Sequence, residues 1–306
     1  MEPTFIISFD CEGKWGMADC LNPAFESRLR TQQLLSVYDR IVETLDRHEI
    51  KATFAFVGLF TIDPDDWHEI RPWAEEAILD RAYLKSFFEN DAAGQHEGWF
   101  GCSAAAEKIA KHSDHEFGSH SFSHCMIDET TMTEADFARD LDALRKLPLF
   151  ADLDDLTFIY PRNQIGYPKV LESSGYIGFR EALPQPAGRL GRVQNLIKEF
   201  GAKIQPQPHP KPAKLVQIPS GYFLNWRSGL RAKVPLQRTI NRWRNLLSQT
   251  AKEGGVAHLW SHPHNFIEYP GMFEQFDAIL AHAAELIRSG ELQSQTMKEY
   301  ARSLQS

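Results

Sequence analysis

Short apolar runs alternate with longer amphipathic stretches along most of this chain, and that rhythm constrains the fold more than any other feature of the sequence. Parallel strands cannot be joined by a tight turn; each needs a crossover of roughly a dozen residues, usually a helix. The runs Thr4–Phe9, Lys51–Gly58, Glu116–His120, Leu156–Tyr160, Tyr176–Arg180, Leu215–Ile218 and Val256–His262 read as strands. Arg30–His48, Ser103–His112, Leu236–Lys252 and Phe273–Ser289 read as helices. Thr133 with Asp136 three residues on predicts a capped helix start, the hydroxyl satisfying a first-turn N–H and the carboxylate facing the positive end. Seven strands in this rhythm predict an α/β barrel, and 306 residues suit one such domain spanning 1–306.

Two stretches interrupt the rhythm. Residues 63–101 carry Trp67, Trp73, Tyr83, Phe87, Phe88 and Trp99, which predicts an inserted helical segment, either packed on the barrel or closing over its mouth. Residues 184–214 are rich in proline, as in Gln205-Pro-Gln-Pro-His-Pro-Lys-Pro212, and read as a long, partly extended loop within the same domain.

Composition removes several classes of function. No apolar window approaches the roughly 18 residues of a membrane span. The first residues, Met1-Glu-Pro-Thr4, carry no basic region of a secretory signal, so a cytoplasmic location is expected. Four cysteines without a CxxC pair argue against a disulfide scaffold and a thiolate zinc site. The net charge of −8 conceals a basic segment: residues 185–252 hold thirteen Lys or Arg against Glu199 alone. No nucleic-acid-binding motif accompanies it; the segment reads either as a solvated basic surface that binds nothing in particular or as attracting an anionic small ligand, with Arg189, Arg192, Arg227 and Arg231 reaching a phosphate on the substrate. In the helix from Leu236, the stripe Leu236, Ile240, Trp243 and Leu247 with Arg238, Arg242 and Arg244 off it fits either core packing or peripheral contact with an anionic membrane.

Chemistry collects at strand ends. Asp10 and Glu12 follow the first strand, and period-two alternation aims both the same way, at the carboxyl-end face where parallel α/β folds build their sites. A structural or capping role is the competing reading. Gly118-Ser-His120-Ser-Phe-Ser-His124 follows the third strand, with two imidazoles spaced to meet one metal ion, solvent-facing loop histidines being the competing reading. His258, Trp260 and His262 alternate along the last strand. His262, nearest the end, is the expected general acid, His258 a packed or supporting histidine, and His264 a competitor for the acid role. Arg162 and Asn163 follow the fourth strand, where the planar guanidinium could take a carboxylate. Trp260, Asn163 and Tyr222 complete the expected substrate contacts.

In this order, each group just after a different strand, the chain resembles the NodB-type polysaccharide deacetylases, the family 4 carbohydrate esterases. The resemblance runs from the first strand to about residue 266. Gly-Ser-His120-Ser-Phe-Ser-His124 matches the family's histidine motif almost letter for letter, and Phe-Asp10-Cys-Glu12 resembles its paired-acid motif with one residue inserted, a spacing found in cytoplasmic branches. The resemblance implies a distorted (β/α)7 barrel. It further implies that Glu12, His120 and His124 hold one divalent ion, zinc before others, with Asp10 as base, Arg162 orienting Asp10, and His262 as acid. Two departures stand out: Pro-Arg162-Asn replaces Arg-Pro-Pro-Tyr, and Glu12 replaces Asp, which leaves the roles of Asp10 and Glu12 exchangeable. The implied activity is removal of acetyl from an N-acetylated sugar, nucleotide- or lipid-linked in surface polysaccharide biosynthesis. A ring-opening amidohydrolase of purine catabolism and a catalytically silent glycan-binding barrel are the alternatives.

Overall fold

The computed structural model describes residues 1–21, 23–111, 114–183, 204–224, 227, 229–269 and 271–305. Its centre is a parallel sheet in the order β6-β5-β4-β3-β2-β1-β8-β7. The strands are β1 Thr4–Cys11, β2 Thr53–Phe56, β3 Glu116–Ser119, β4 Leu156–Phe158, β5 Tyr176–Arg180, β6 Val216–Ile218, β7 Tyr222–Phe223, β8 Val256–Ser261 and β9 Gln293–Gln295, which adds to β1. All seven expected strands are present. β7 and β9 went unread because two residues, or a polar Gln-Ser-Gln, carry no apolar period.

β6 and β7 stand at opposite ends of the strand order, yet only Pro219, Ser220 and Gly221 separate them in the chain. The sheet thus curls into a barrel closed by covalent chain instead of a ladder, the distorted barrel expected from the sequence. Gly221 makes that corner possible: its φ is +66°, and a Cβ there would lie 2.3 Å from the His258 carbonyl oxygen.

Period-two alternation sorts β1 into two faces. Phe5, Ile7, Phe9 and Cys11 face the surrounding helices, with Phe9 packed against Phe54, Phe266 and Phe276. Ile6 joins the barrel's own interior with Ala55, Ile159, Val216, Ile218 and Val256. Ser8 and Asp10 continue that inward line toward the carboxyl-end mouth. The floor is closed by the C-terminal helix Met297–Leu304, which inserts Met297, Tyr300, Ala301 and Leu304 among those residues. Buried Glu116 fixes this plug by accepting from Thr53 Oγ1, Thr157 Oγ1 and the Lys298 N–H at 2.7, 2.5 and 2.8 Å, a carboxylate at a helix N-terminus.

The other expected elements form as helices Thr31–Arg47, Ser103–Lys111, Glu134–Arg145, Leu236–Glu253 and Gly271–Arg288. Thr133 and Asp136 make the reciprocal capping box. The stripe on Leu236–Glu253 is core: Ile240, Trp243 and Leu247 are buried, and the helix packs along Gly271–Arg288, so this face meets no membrane. No helix among the described residues is long and apolar enough to cross one. Of the proline-rich stretch, residues 184–203 lie outside the described residues; further on, Gln207 exchanges two backbone hydrogen bonds with Val256 and straps the start of β8.

The aromatic insertion packs rather than hangs free. Helices Trp67–Ala77 and Lys85–Ala92 bury Trp67, Tyr83, Phe87 and Trp99 around Trp15. Trp15 Nε1 donates to the Trp99 carbonyl at 2.6 Å, Ser86 Oγ to the Ala18 carbonyl at 2.8 Å, and Lys14 pairs with Glu26, which also accepts from Asn90. The insertion therefore grips residues 14–18, just past Glu12.

Tyr300→Ala would empty the barrel floor and is expected to cost about 3–5 kcal/mol, the range for large aromatic truncations. Urea unfolding of the two proteins measures it.

Candidate metal centre and active site

Glu12 lies just beyond the end of β1 and is 5% exposed. Gly16 makes room for it, since a Cβ at Gly16 would lie 1.9 Å from the Glu12 carboxyl carbon. The histidine loop leaves β3 with Ser121 and His124 at positive φ, 69° and 58°, an unfavourable conformation that surrounding bonds must enforce. Those bonds come from two directions. Gly58 N and Leu59 N donate to the carbonyls of Ser121 and Phe122, while Asp140 accepts from Phe122 N at 3.0 Å and Ser121 Oγ at 3.3 Å. Burial drives the Asp140 carboxyl up to about 7 against these hydrogen bonds.

The loop delivers His120 Nε2 to 3.2 Å and His124 Nε2 to 3.0 Å from the same oxygen, Glu12 Oε2. His120 Nδ1 lies 2.7 Å from the Ile159 carbonyl, which can only accept, so Nδ1 carries a proton and Nε2 is the nitrogen turned toward Glu12. Burial, which outweighs the nearby Glu12, holds His124 below the ordinary imidazole range and so disfavours an imidazolium. Two imidazole nitrogens and a carboxylate oxygen therefore converge in a buried place, where each can serve as a ligand atom to one cation. These three residues are the metal-capable group found among the described residues. The donor set, two imidazoles and one carboxylate, suits a divalent ion of zinc character and leaves a coordination position free.

Asp10 is also buried and sits against Arg180, whose Nη1 and Nη2 meet its two oxygens at 2.6 and 2.7 Å. Burial alone would raise the carboxyl, but the charge and hydrogen bonds of Arg180, helped by His120 and His262, hold it below the usual range. A directional chain supports the pair. His258 Nδ1 donates to the Pro219 carbonyl at 2.7 Å, its Nε2 accepts from Ser8 Oγ at 2.9 Å, and Ser8 Oγ accepts from Arg180 Nη1 at 3.1 Å. Burial followed by the Arg180 charge pushes His258 down to about 3, so it stays neutral in this chain.

This corrects the expectation for Arg162. The guanidinium that orients Asp10 is Arg180 from β5; Arg162 Nη2 instead meets Asp19, the Gly16 carbonyl and, at 3.5 Å, Tyr83 Oη. Motif order pointed to Arg162, whereas inward alternation at the end of β5 carries Arg180 into the barrel. A charged residue closing the apolar run Tyr176–Phe179 was the available signal. Asn163 is at the site, but its Oδ1 accepts from Arg180 Nη2 at 2.9 Å.

His262 Nε2 lies 3.5 Å from Glu12 Oε1 and 3.9 Å from Asp10 Oδ2, and the ring is partly exposed. It stacks on His264 with centroids 5.0 Å apart. Burial pushes His264 down to about 3, which removes it as a competing proton donor at neutral pH. Trp260 is half-buried, with Arg180 over its ring and Phe223 against it at 4.6 Å. Tyr222 points elsewhere: its hydroxyl donates to the Gln205 carbonyl at 2.9 Å, beside the strap at the start of β8, and its neighbour Phe223 takes the face that meets His262.

No family model matches the chain, and no curated protein matches it by sequence. Solved structures do. A polysaccharide deacetylase, as it is described, from Mycobacterium smegmatis superposes with a TM-score of 0.61 at 16% identity, covering 98% of this chain and 89% of that one. One from Pseudomonas aeruginosa PAO1 gives 0.54 at 12% identity, and Puue allantoinase 0.54 at 11%, both with the same coverages of 98% and 89%. The chain shares its fold with these solved proteins.

Arg180→Met would leave the Asp10 carboxylate buried without its partner, and a loss of about 3–5 kcal/mol is expected. Adding Asp10→Asn should recover part of it, as a double-mutant cycle by urea unfolding would show. Asp140, with a folded pKa of about 7 against 3.8 unfolded, keeps a proton that the unfolded chain releases, so its contribution to stability is present below about pH 4 and lost as pH rises to about 7. Asp140→Asn should flatten that part of the stability profile, measured by thermal unfolding from pH 4 to 8.

Proposed function

We propose that the protein is a metal-dependent hydrolase that removes the acetyl group from an N-acetylated sugar. The observation that carries this reading is the convergence of Glu12, His120 and His124 at the barrel mouth, with Asp10 and His262 beside them. In this reading those three residues hold zinc. Bound there, the ion supplies Lewis-acid polarisation of a carbonyl and a water acidified to near neutrality.

The protein's own groups divide the proton work. Glu12 Oε2 lies between the two imidazoles and suits a ligand, while Asp10, kept ionised by Arg180, suits a base. His262 reaches the mouth with Nε2, from which it would protonate the departing amine, since an amide nitrogen leaves poorly as an anion. Trp260 and Phe223 offer an apolar wall suited to a sugar face.

A phosphate-linked substrate gains no support. Arg227, expected to reach a phosphate, donates instead to the Val234 and Ala232 carbonyls at 2.8 and 3.0 Å, and Arg189 and Arg192 lie outside the described residues. A ring-opening amidohydrolase is the second reading, favoured by the equal TM-scores of 0.54 for Puue allantoinase and the Pseudomonas deacetylase. Both reactions hydrolyse a C–N bond.

Elemental analysis is expected to find about one zinc per wild-type chain and loss of it in a folded His120→Ala/His124→Ala variant. Acetate release from N-acetylglucosamine oligomers should fall about a hundredfold to ten-thousandfold in His262→Ala with zinc retained. Opening of cyclic ureides without acetate release from any N-acetyl sugar would replace the first reading with the second.

A further inference from the structure

A ligand histidine presents Nε2 to a metal only when its proton sits on Nδ1. A carbonyl enforces this for His120, but the partner of His124 Nδ1 is the Tyr83 hydroxyl, 3.1 Å away, and a hydroxyl can donate or accept. Nε2 on the far side faces Glu12 Oε2 at 3.0 Å, an acceptor that draws the proton toward Nε2 until an ion occupies the site, so the opposing preference has to come from what surrounds the hydroxyl. Tyr83 Oη also lies 2.7 Å from the Trp15 carbonyl, an acceptor only, so the hydroxyl proton is directed there. Its oxygen then accepts from His124 Nδ1–H. Arg162 Nη2, a donor in every state, approaches the same oxygen at 3.5 Å and opposes the reversed orientation. The ring is 6% exposed and lies nearly parallel to His124, with centroids 5.8 Å apart.

We propose that Tyr83 is a positioning residue for the metal centre: it locks His124 in the Nδ1–H tautomer, and Arg162 steadies the tyrosine. The inference rests on Glu12, His120 and His124 holding a divalent ion. It gives the aromatic insertion a part in the centre, because Tyr83 lies between the insertion's two helices while Trp15, its acceptor, follows Glu12. It also gives Arg162 a task distinct from that of Arg180, on a metal ligand instead of on Asp10.

Nitrogen NMR of histidine-labelled, metal-free protein reads the tautomer directly, with His124→Ala assigning the signal. Wild type should show the Nδ1–H form, and Tyr83→Phe a shift toward Nε2–H. Zinc affinity by chelator competition should fall about ten- to hundredfold in Tyr83→Phe, with a smaller fall in Arg162→Met. Ser86→Ala, which loosens the insertion at Ala18 without touching His124, should retain wild-type affinity. The proposal is overturned by a wild-type Nε2–H form, by an unchanged tautomer and affinity in Tyr83→Phe, or by an equal affinity loss in Ser86→Ala. A wild type that binds no zinc would sink the metal reading instead, and the tautomer measurement would still judge the Tyr83–His124 bond.

Discussion

A guanidinium without solvent costs several kcal/mol unless its donors and its charge are matched, and Arg180 sits fully buried in the throat of the barrel. Asp10 matches the charge through two hydrogen bonds, while Ser8 and Asn163 take further donors. Much of the mouth follows from satisfying this pair. It ties β1 to β5 across the barrel, draws His258 and Pro219 into a supporting chain, and keeps Asp10 ionised beside the converging Glu12, His120 and His124. Below it the interior is apolar down to the C-terminal helix; above it the interior is lined by the titratable side chains of Glu12, His120, His124 and His262.

The second constraint is the shape of the histidine loop. Two residues at positive φ within four positions would relax if unsupported. The buried carboxyl of Asp140 and the backbone that follows β2 hold them. His120 and His124 consequently approach one oxygen of Glu12 from rings whose far nitrogens are tied to other parts of the protein. The aromatic insertion serves the same end from the opposite side, because it grips residues 14–18 and reaches His124 with one hydroxyl.

Local physics made the strands and helices legible. The period-two run of β1, the 3.6-residue period of Thr31–Arg47 and the Thr133–Asp136 cap act over a few residues, and a chain shows them without its fold. Positions at strand ends were legible for a related reason, since parallel sheets gather those ends on one face. Asp10, Glu12, His120, His124 and His262 were singled out in this way, and the structure brings their side chains together. The stripe Leu236–Leu247 remained ambiguous because core and membrane faces have the same period, and only the neighbouring helix Gly271–Arg288 decides between them.

By itself, then, the sequence determined the alternation of elements, the order in which acid, histidine and terminal-histidine groups follow their strands, and the closed α/β form. Tertiary structure decided the partners. Asp10 and Arg180 are 170 residues apart in the chain, and Tyr83 meets His124 across 41. Whether Arg162 or Arg180 reaches Asp10 depends on strand order, register and inward alternation in a closed sheet. Those are properties of the assembled barrel, because a side chain's direction across the interior is fixed only when the strands on both sides are in place.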